Sequence, residues 1–532
     1  MTGFLYATPS VFESTRERAQ LSLTADQHRP VRFHARVARD VLPLRLALQS
    51  LGGLIWHSDS WNGEGSGAWL DPLITVHPDR LFFEAFSQDL SAYGLVIVDR
   101  ERFVPEGEVH CGTTNVDFTA WLWAALAEMR SSRETHLRIG PEGFDVRTTG
   151  AGGRFEQKVD VPEPWVRGLL QLQGAMAMPG TRLSVRPVDL LAAVRFLSHT
   201  KARVSPRALR YEMQPGEDAR LMLEPWEHPI PLRGAAHGYT EPRTIRAWGR
   251  RRLRLLEPLL PYAERVDIYL KGRALPHFYV AHLSDGVRFL LGLSGWTANH
   301  WTHTAGLDLL LEPTHDAPLA ERVLDVLRAR FHASTEEVAA ALGVDVARAA
   351  GALATQCAAG RALFDVEARR WRHRELFATP VDLGRLYPPD ARREEAERLE
   401  AAGQVEVTSA APRETRKVRR LPTPEGPVTR EVVLRDWVVH GRAGPQAGLE
   451  LVMNDEDRLL FGRCGCDHFR EHLLNQGPCA HLLALHRMAR AQRRELASSV
   501  PTSDDDTLVA RAEAGARREQ ALDPEDGDDD NG

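Results

Sequence analysis

The stretch CGCDHFREHLLNQGPCAH, residues 464–481, holds three of the five cysteines in a chain of 532 residues. Its first two cysteines, Cys464 and Cys466, are separated by one glycine, which has no Cβ and so permits a sharp bend between the two thiols. Cys479 and His481 follow twelve residues later, after a proline and before an apolar pattern of helical spacing. The spacing predicts one pair at the end of a hairpin and the other pair at the start of a helix.

Three sulfurs and one imidazole make four ligands, and a complete set of four protein ligands is typical of structural zinc. We therefore predict a closed tetrahedral site for one structural Zn²⁺ ion, held by Cys464, Cys466, Cys479 and His481. Two alternatives stay open. The cysteines can be buried free thiols, which pack as small apolar groups. Residues 468–472 also spell H-x-x-E-H, in which two histidines bind zinc and the glutamate is the base of a protease.

The CxC and CxH pairs resemble the SWIM zinc finger, a family named from Swi/Snf-type ATPases and MuDR-type transposases. The resemblance covers residues 400–492 and includes the C-x-H-x-x-A-L ending at residues 479–485. Strand-like segments at 431–439, 448–453 and 459–463 precede or flank the first ligands, as in a ββα-type finger. SWIM fingers are interaction modules for DNA or proteins, so the resemblance implies a binding function.

The net charge of −6 is concentrated at the C-terminal end of the chain. Residues 503–532 contain eleven acidic and three basic side chains, a contribution of −8, which leaves +2 for the first 502 residues. The tail, 496–532, lacks aromatic residues and has a composition typical of disordered segments. No apolar run reaches the length of a membrane span, and the first residues do not resemble a signal peptide. We expect a cytoplasmic protein with no membrane partner.

The N-terminal part of the chain mixes strand-like and helical patterns without the regular alternation of βαβ units. We predict an α+β, multidomain fold, with a mixed α+β region at 1–180 and a second α+β region at 181–317. This part shows no Ser-His-Asp elbow, no cysteine nucleophile signature and no second metal cluster, so we expect no enzyme. A constellation assembled only in three dimensions stays open, and an enzyme of unknown class in this region is one alternative.

Residues 318–377 have the pattern of a winged helix, with three predicted helices and a hairpin. Ser334 and Glu337 have the spacing of a capping box at the start of the second helix. The third helix, 344–358, is poorly equipped to read base edges, because Arg348 is its one basic residue. We therefore predict packing or protein contact for this unit. The predicted wing is basic, at Arg369, Arg370, Arg372, His373 and Arg374.

Residues 378–430 are predicted as a charged helix followed by a basic, proline-containing linker. We expect the linker to be an exposed loop, which makes its basic residues the first candidates for contact with nucleic-acid phosphates. These candidates are Arg413, Arg416, Lys417, Arg419 and Arg420. A second basic group extends the helix of the finger assigned to 431–495, and comprises Arg487, Arg490, Arg493 and Arg494.

Together these patterns predict a zinc-binding SWIM-finger protein that acts without catalysis as a nucleic-acid-binding (DNA) or interaction module. The chain has no G-x-x-x-x-G-K-[ST] phosphate loop, so any use of ATP requires an ATPase partner in trans. Some bacterial SWIM proteins resemble members of gene clusters with MoxR-type AAA+ ATPases and von Willebrand A proteins. A protein adaptor for such partners is therefore the second hypothesis.

Overall fold

The computed structural model shows an α+β chain with several sheets and helices in more than one unit. In the described part, no helix is long and apolar enough to cross a membrane. The acidic tail predicted at 496–532 lies almost entirely outside the described residues. Those residues are 3–27, 31–56, 72–141, 157–160, 163–177, 180–202, 207–240, 242–271, 276–294, 316–376, 391–423, 426–454, 459–472 and 478–498.

The largest part of the structure is built from residues 3–294. Its helices are α1 (Leu42–Trp56), α2 (Ala120–Ala125), α3 (Glu163–Ala177) and α4 (Pro187–His199). Its first strands are β1 (Gly3–Tyr6), β2 (Val11–Ser14), β3 (Arg18–Thr24), β4 (Phe33–Val37), β5 (Leu73–Val76), β6 (Arg80–Phe86), β7 (Ala92–Asp99), β8 (Phe103–Pro105), β9 (Gly112–Asn115), β10 (Glu134–Gly140) and β11 (Gln157–Asp160). They are followed by β12 (Thr181–Val185), β13 (Leu209–Met213), β14 (Arg220–Leu223), β15 (His228–Pro231), β16 (Arg243–Ala247), β17 (Ala263–Leu270), β18 (His277–Leu283) and β19 (Val287–Leu293).

An eight-stranded antiparallel sheet is the centre of this part, in the order β12-β17-β18-β19-β7-β6-β5-β9. Strand β7 is buried on both faces, which explains the nearly continuous apolar run AYGLVIV at residues 92–98. Helix α1 packs on the face with Val96 and Val98, and α3 packs on the face with Leu95 and Ile97. Because β19 pairs with β7, the regions predicted at 1–180 and 181–317 share one sheet.

Three smaller sheets surround the central one. A five-stranded sheet has the order β2-β3-β10-β4-β8, in which β10 runs parallel to β3 and antiparallel to β4. A four-stranded sheet has the order β15-β14-β13-β16, and β1 pairs with β11. In the five-stranded sheet one face is apolar, because Phe33, Ala35 and Val37 alternate with partly exposed polar residues along β4.

Residues 316–376 form a unit of three helices and a three-stranded sheet of order β20-β22-β21. The predicted capping box at Ser334 and Glu337 is present, and it starts the second helix of the unit. The elements are α5 (Ala317–Arg330), β20 (His332–Ala333), α6 (Thr335–Leu342), α7 (Val346–Ala358), β21 (Ala362–Asp365) and β22 (Arg370–His373).

Two arginines of the basic hairpin of this unit face the N-terminal part of the chain, whereas Arg369 is exposed. Arg372 is 1% exposed and donates to Asp365 (2.8 Å) and to both carboxylate oxygens of Asp79 (2.9 and 3.0 Å). Arg374 is fully buried and donates to Glu84 on β6. These two arginines therefore attach the unit to β6 of the eight-stranded sheet and to the turn just before that strand. They are not available for contact with nucleic acid.

The C-terminal part, residues 391–498, combines three helices with a four-stranded antiparallel sheet of order β23-β24-β25-β26. Its first two strands pair with each other along nearly their whole length and so form one long hairpin. The elements are α8 (Ala391–Ala401), β23 (Val405–Thr423), β24 (Gly426–Ala443), β25 (Gln446–Asn454), β26 (Leu459–Arg463), α9 (Asp467–His472) and α10 (Ala480–Ser498).

The predicted exposed linker at 413–420 is wrong, because these residues lie in β23. The prolines misled the prediction. Strand β23 is at the edge of its sheet, where alternate backbone N–H groups point away from the neighbouring strand, so a proline such as Pro412 removes no necessary hydrogen bond. The charged helix is not part of a linker either, since Ala396 and Leu399 of α8 are buried in the same core as α10.

Gly441 is the point of closest approach between the sheet and α10. A Cβ at this position would lie 2.3 Å from the carbonyl oxygen of Glu406 and 2.4 Å from Leu485 Cδ1. The glycine therefore sets how tightly the helix packs on the sheet. Leu485 belongs to the core of the C-terminal part, and the Glu406 carbonyl belongs to a strand paired with β24, so neither can move without disturbing other contacts.

We expect Gly441→Ala to reduce the free energy of unfolding of the C-terminal part by about 1–3 kcal/mol, the usual cost of overpacking a core. Chemical denaturation followed by hydrogen exchange in residues 391–498 measures the effect. Gly107→Ala is the matched control, because a Cβ there meets nothing within 4 Å. Equal stability of the two variants would contradict the packing argument.

The buried ion pair between Arg374 and Glu84 gives a second prediction. Glu84→Gln leaves the Arg374 guanidinium buried without a counter-charge. We therefore expect the free energy of unfolding to fall by about 3–5 kcal/mol. Glu375→Gln breaks a half-exposed ion pair with Arg328 (2.7 Å) and is expected to cost less than about 1 kcal/mol. Thermal unfolding of the two variants compares them directly, and a similar small loss in both would refute the attachment described here.

Candidate metal centre

The first pair of cysteines follows directly after β26. Cys464 is buried, and the backbone N–H of Cys466 donates to the Cys464 sulfur at 3.5 Å. Helix α9 begins one residue later, and Arg470 N donates to the Cys466 carbonyl, so the turn between the cysteines is held from both sides. The glycine between them is not in the left-handed region of the backbone. A Cβ on Gly465 would lie 3.0 Å from Gln446 Oε1, the end of a flexible side chain that a small shift can move, so neither the backbone angle nor the available space requires glycine here.

The second pair stands at the start of α10, as predicted. The carbonyl oxygen of Cys479 accepts the N–H of Leu483 at 3.0 Å, which is the first hydrogen bond of the helix. Cys479 is buried, and His481 is partly exposed at the second position of the helix. The helix is fixed in place because Leu482 and Leu485 pack into the core formed with the sheet. The position of both ligands therefore follows from the packing of α10.

The structure brings the four predicted ligands together. The Sγ atoms of Cys464, Cys466 and Cys479 and a ring nitrogen of His481 all lie within 4.8 Å of one another. Cys464 Sγ is 3.9 Å from His481 Nδ1. Two sulfurs bound to one tetrahedral zinc ion at about 2.3 Å each are about 3.8 Å apart. The four residues thus form a possible metal-binding site that is compatible with one zinc ion.

The electrostatics of this site favour a thiolate at Cys479. The Cys464 thiol donates to the Cys479 sulfur, with further hydrogen bonds from His481 and the Leu482 N–H, and these interactions lower the pKa of Cys479 to about 4. Helix N-termini stabilise thiolates in the same way. Cys357 shows the contrast, because burial alone in the core of residues 316–376 raises its pKa to about 12. The pKa of the buried free thiol of Cys357 is therefore shifted in the opposite direction to that of Cys479.

The H-x-x-E-H alternative gains no support from the described side chains. His468 and Glu471 lie on the six-residue helix α9, and neither belongs to a group of possible metal ligands in the described part of the chain. The side chain of His472 lies outside the described residues. The cysteine and histidine set is therefore the one that the geometry favours.

The predicted basic residues have different surroundings. Arg413 is exposed on β23, whereas the side chains of Arg416, Lys417, Arg419 and Arg420 lie outside the description. On α10, Arg487 donates to Glu397 of α8 at 3.2 Å and so is engaged within the chain. Arg490 is partly buried, and the side chains of Arg493 and Arg494 are again outside the described residues.

A second group of possible metal ligands lies in the N-terminal part and contains His34, Glu106 and His136. The sequence predicts no second metal cluster in this part, whereas the structure places these three possible ligands together. The three residues are 72 and 30 positions apart along the chain, two on different strands and one just after a third, so no local spacing indicates them. A signal was present in the strand patterns FHARV and THLRI, where a histidine occupies the polar side of an otherwise apolar alternation.

Comparisons with known proteins do not place the chain in a family. No family model matches it. No curated protein matches it either. Among solved structures, the chain is similar to proliferating cellular nuclear antigen from Entamoeba histolytica, with 11% sequence identity and a TM-score of 0.33, over 50% of this chain and 99% of that one. That distant likeness indicates neither a function nor a site for this chain.

We expect Cys479→Ser to lower the zinc content of the purified chain by one equivalent and to increase hydrogen exchange throughout residues 391–498, because metal binding supplies folding energy to such modules. Strands β7 and β19 are an internal reference that should not change. Cys111→Ser is the matched control, since Cys111 is isolated from the other cysteines. Unchanged zinc content and unchanged exchange in the variant would contradict the assignment.

Proposed function

We propose that this chain is a zinc-binding protein of the SWIM type, and that its C-terminal part binds nucleic acid without catalysis. The observation that carries the proposal is a two-stranded arm, residues 413–435, here called the ribbon. Among the described residues, which omit 455–458, β24 pairs with β25 only from Asp436 onwards. Before that residue, the described strands β24 and β23 pair with each other alone. The ribbon therefore extends beyond the sheet that the metal ligands adjoin.

The dimensions of the ribbon suit a groove of nucleic acid. Its ten paired positions at about 3.3 Å each span about 33 Å. The major groove of B-form DNA admits a two-stranded ribbon of this kind. A two-stranded hairpin that packs on no third element is only marginally stable in water, so a bound partner would stabilise it.

The charge of the ribbon favours an anionic partner. Residues 413–435 contain seven basic and three acidic side chains, which gives +4. The register places Arg419 directly opposite Arg430. Like charges at opposite positions destabilise a strand pair unless an anion lies between or beside them. Phosphate groups at regular spacing along a nucleic acid would supply that compensation.

The proposed metal site would contribute indirectly, by ordering the sheet from which the ribbon extends. Cys464 follows β26, and Cys479 starts α10, so one ion would join the last strand of the sheet to the helix that packs on it. Strands β23 and β24 belong to that sheet and continue from it into the ribbon. An ordered sheet holds the base of the ribbon in a fixed direction, and this is a structural role for zinc.

The unit at 316–376 is interpreted as winged-helix-like, but we do not assign DNA contact to it. Its hairpin arginines, Arg372 and Arg374, are engaged with carboxylates of the same chain. This observation favours the second candidate function, a protein adaptor. In that version the ribbon binds an acidic segment of a partner such as a MoxR-type AAA+ ATPase or a von Willebrand A protein.

Binding of the full-length chain to a labelled DNA duplex at several salt concentrations tests the proposal. The logarithm of the affinity should fall linearly with the logarithm of salt concentration, because bound cations are released from the phosphates. Neutralising four ribbon residues should reduce the magnitude of that slope by up to about 3–4. The ribbon variant replaces with glutamine Arg416, Lys417, Arg419 and Arg420.

A matched control keeps the same change in net charge but places it elsewhere. Four exposed arginines outside the C-terminal part are replaced with glutamine, and the slope should then stay close to that of the wild type. These are Arg16, Arg195, Arg322 and Arg330. Equal slopes for both quadruple variants, or binding that does not respond to salt, would refute nucleic-acid binding by the ribbon.

A further inference from the structure

Three strands of the five-stranded sheet bring two histidines and a glutamate to one place. His34 lies on β4 and His136 on the neighbouring strand β10, while Glu106 follows directly after β8 on the other side of β4. The backbone N–H of Glu106 donates to the His34 carbonyl at 2.8 Å, which continues the pairing of β8 with β4. The ordered pairing of the three strands therefore determines the position of all three side chains.

The distances among the side chains fit a shared ion. Glu106 Oε2 is 2.8 Å from His136 Nδ1 and 3.1 Å from His34 Nε2. All three ligand atoms lie within 4.8 Å of one another. Ligands bound to one cation at about 2.1 Å each, with angles near those of a tetrahedron or octahedron, are about 3–3.5 Å apart. A carboxylate oxygen between two ring nitrogens is thus at the separation that a common ion requires.

The three side chains differ in burial, since that of His136 is 6% exposed and that of Glu106 is 29% exposed. His136 faces Glu106 with Nδ1, which is hydrogen-bonded to the carboxylate at 2.8 Å. His34 Nε2 is buried and faces the same carboxylate oxygen, but its contact with Glu106 does not have hydrogen-bond geometry. A buried ring nitrogen without a hydrogen-bond partner is costly and calls for an explanation such as an ion. Glu134 Oε2, 3.8 Å from His136 Nε2, is placed to orient that ring from behind.

We propose that His34, Glu106 and His136 form a second metal site, for a divalent transition metal such as Zn²⁺. Two imidazoles and one carboxylate favour such an ion over Ca²⁺ or Mg²⁺, which prefer oxygen ligands. Three protein ligands leave at least one coordination position open, unlike the four-ligand site near the C-terminus. Arg138 is opposite His34 in the register, so its positive charge favours an anion, such as hydroxide or a carboxylate, as the remaining ligand.

Metal content of the purified full-length chain tests the proposal. After removal of metal and titration with Zn²⁺, we expect two equivalents for the wild type and one for Glu106→Ala or His136→Ala. Cys479→Ser should also retain one equivalent, because it affects the other site alone. Combining it with His136→Ala should abolish stoichiometric binding. The two sites are thus measured independently of each other and of the proposed nucleic-acid binding.

The matched control is a nearby histidine that pairs with a glutamate but belongs to no group of three possible metal ligands among the described residues. His110 Nε2 is 2.9 Å from Glu108 Oε1 in an exposed pair, so His110→Gln should keep two equivalents. Because His136 is buried, its replacement can disturb the fold. His34→Gln is therefore the second variant, since it replaces a possible ligand whose side chain is already 36% exposed. Circular dichroism of each variant confirms that the fold is retained, and His34→Gln decides the result if His136→Ala does not fold.

Titration with Co²⁺ adds a spectroscopic distinction. The cysteine site should give an intense sulfur-to-cobalt charge-transfer band, which the site of two histidines and a glutamate cannot produce. His136→Ala should therefore bind one equivalent of Co²⁺ fewer than the wild type, while keeping the charge-transfer band and the ligand-field bands of the cysteine site. A wild-type chain that binds one equivalent only, lost in Cys479→Ser and unchanged in His34→Gln, would overturn the second site.

Discussion

The convergence of two short ligand pairs at one point is the constraint on which the C-terminal part depends. One pair ends the sheet at Cys464, and the other starts helix α10 at Cys479. Their approach requires that α10 lie flat on the sheet, and Gly441 permits this because no Cβ separates the two layers. The core beneath them is small, so the metal ligands and the packing of the helix stabilise each other.

The N-terminal part is organised by a different interaction, the pairing of β7 with β19. This pairing joins strands from both halves of the region into one sheet that is buried on both faces. The unit at 316–376 then attaches through two arginines to β6 and the turn before it, with Arg374 bound to Glu84 and Arg372 bound to Asp79. Buried charges of this kind specify one relative position, because any other would leave them unpaired.

Local features of the fold were accessible from the sequence, whereas features that join distant segments were not. The capping box at Ser334 and the ligand spacing at Cys464 depend on a few adjacent residues, and both have the predicted local geometry. The ribbon is not evident from the sequence, because Pro412 and its neighbours are typical of a loop, although an edge strand also tolerates proline. The histidine pair at His34 and His136 was missed since only strand pairing brings the two residues together.

The edge position of β23 has a consequence for how this protein behaves at high concentration. An edge strand of 19 residues presents a row of backbone donors and acceptors to which a second chain can add. Pro412 and Pro422 lack a backbone N–H, and the repelling charges between them oppose the close approach of an identical strand. Under the proposed function, the charges that would attract a polyanion are the same charges that oppose the addition of an identical strand, so replacing them would alter both properties together.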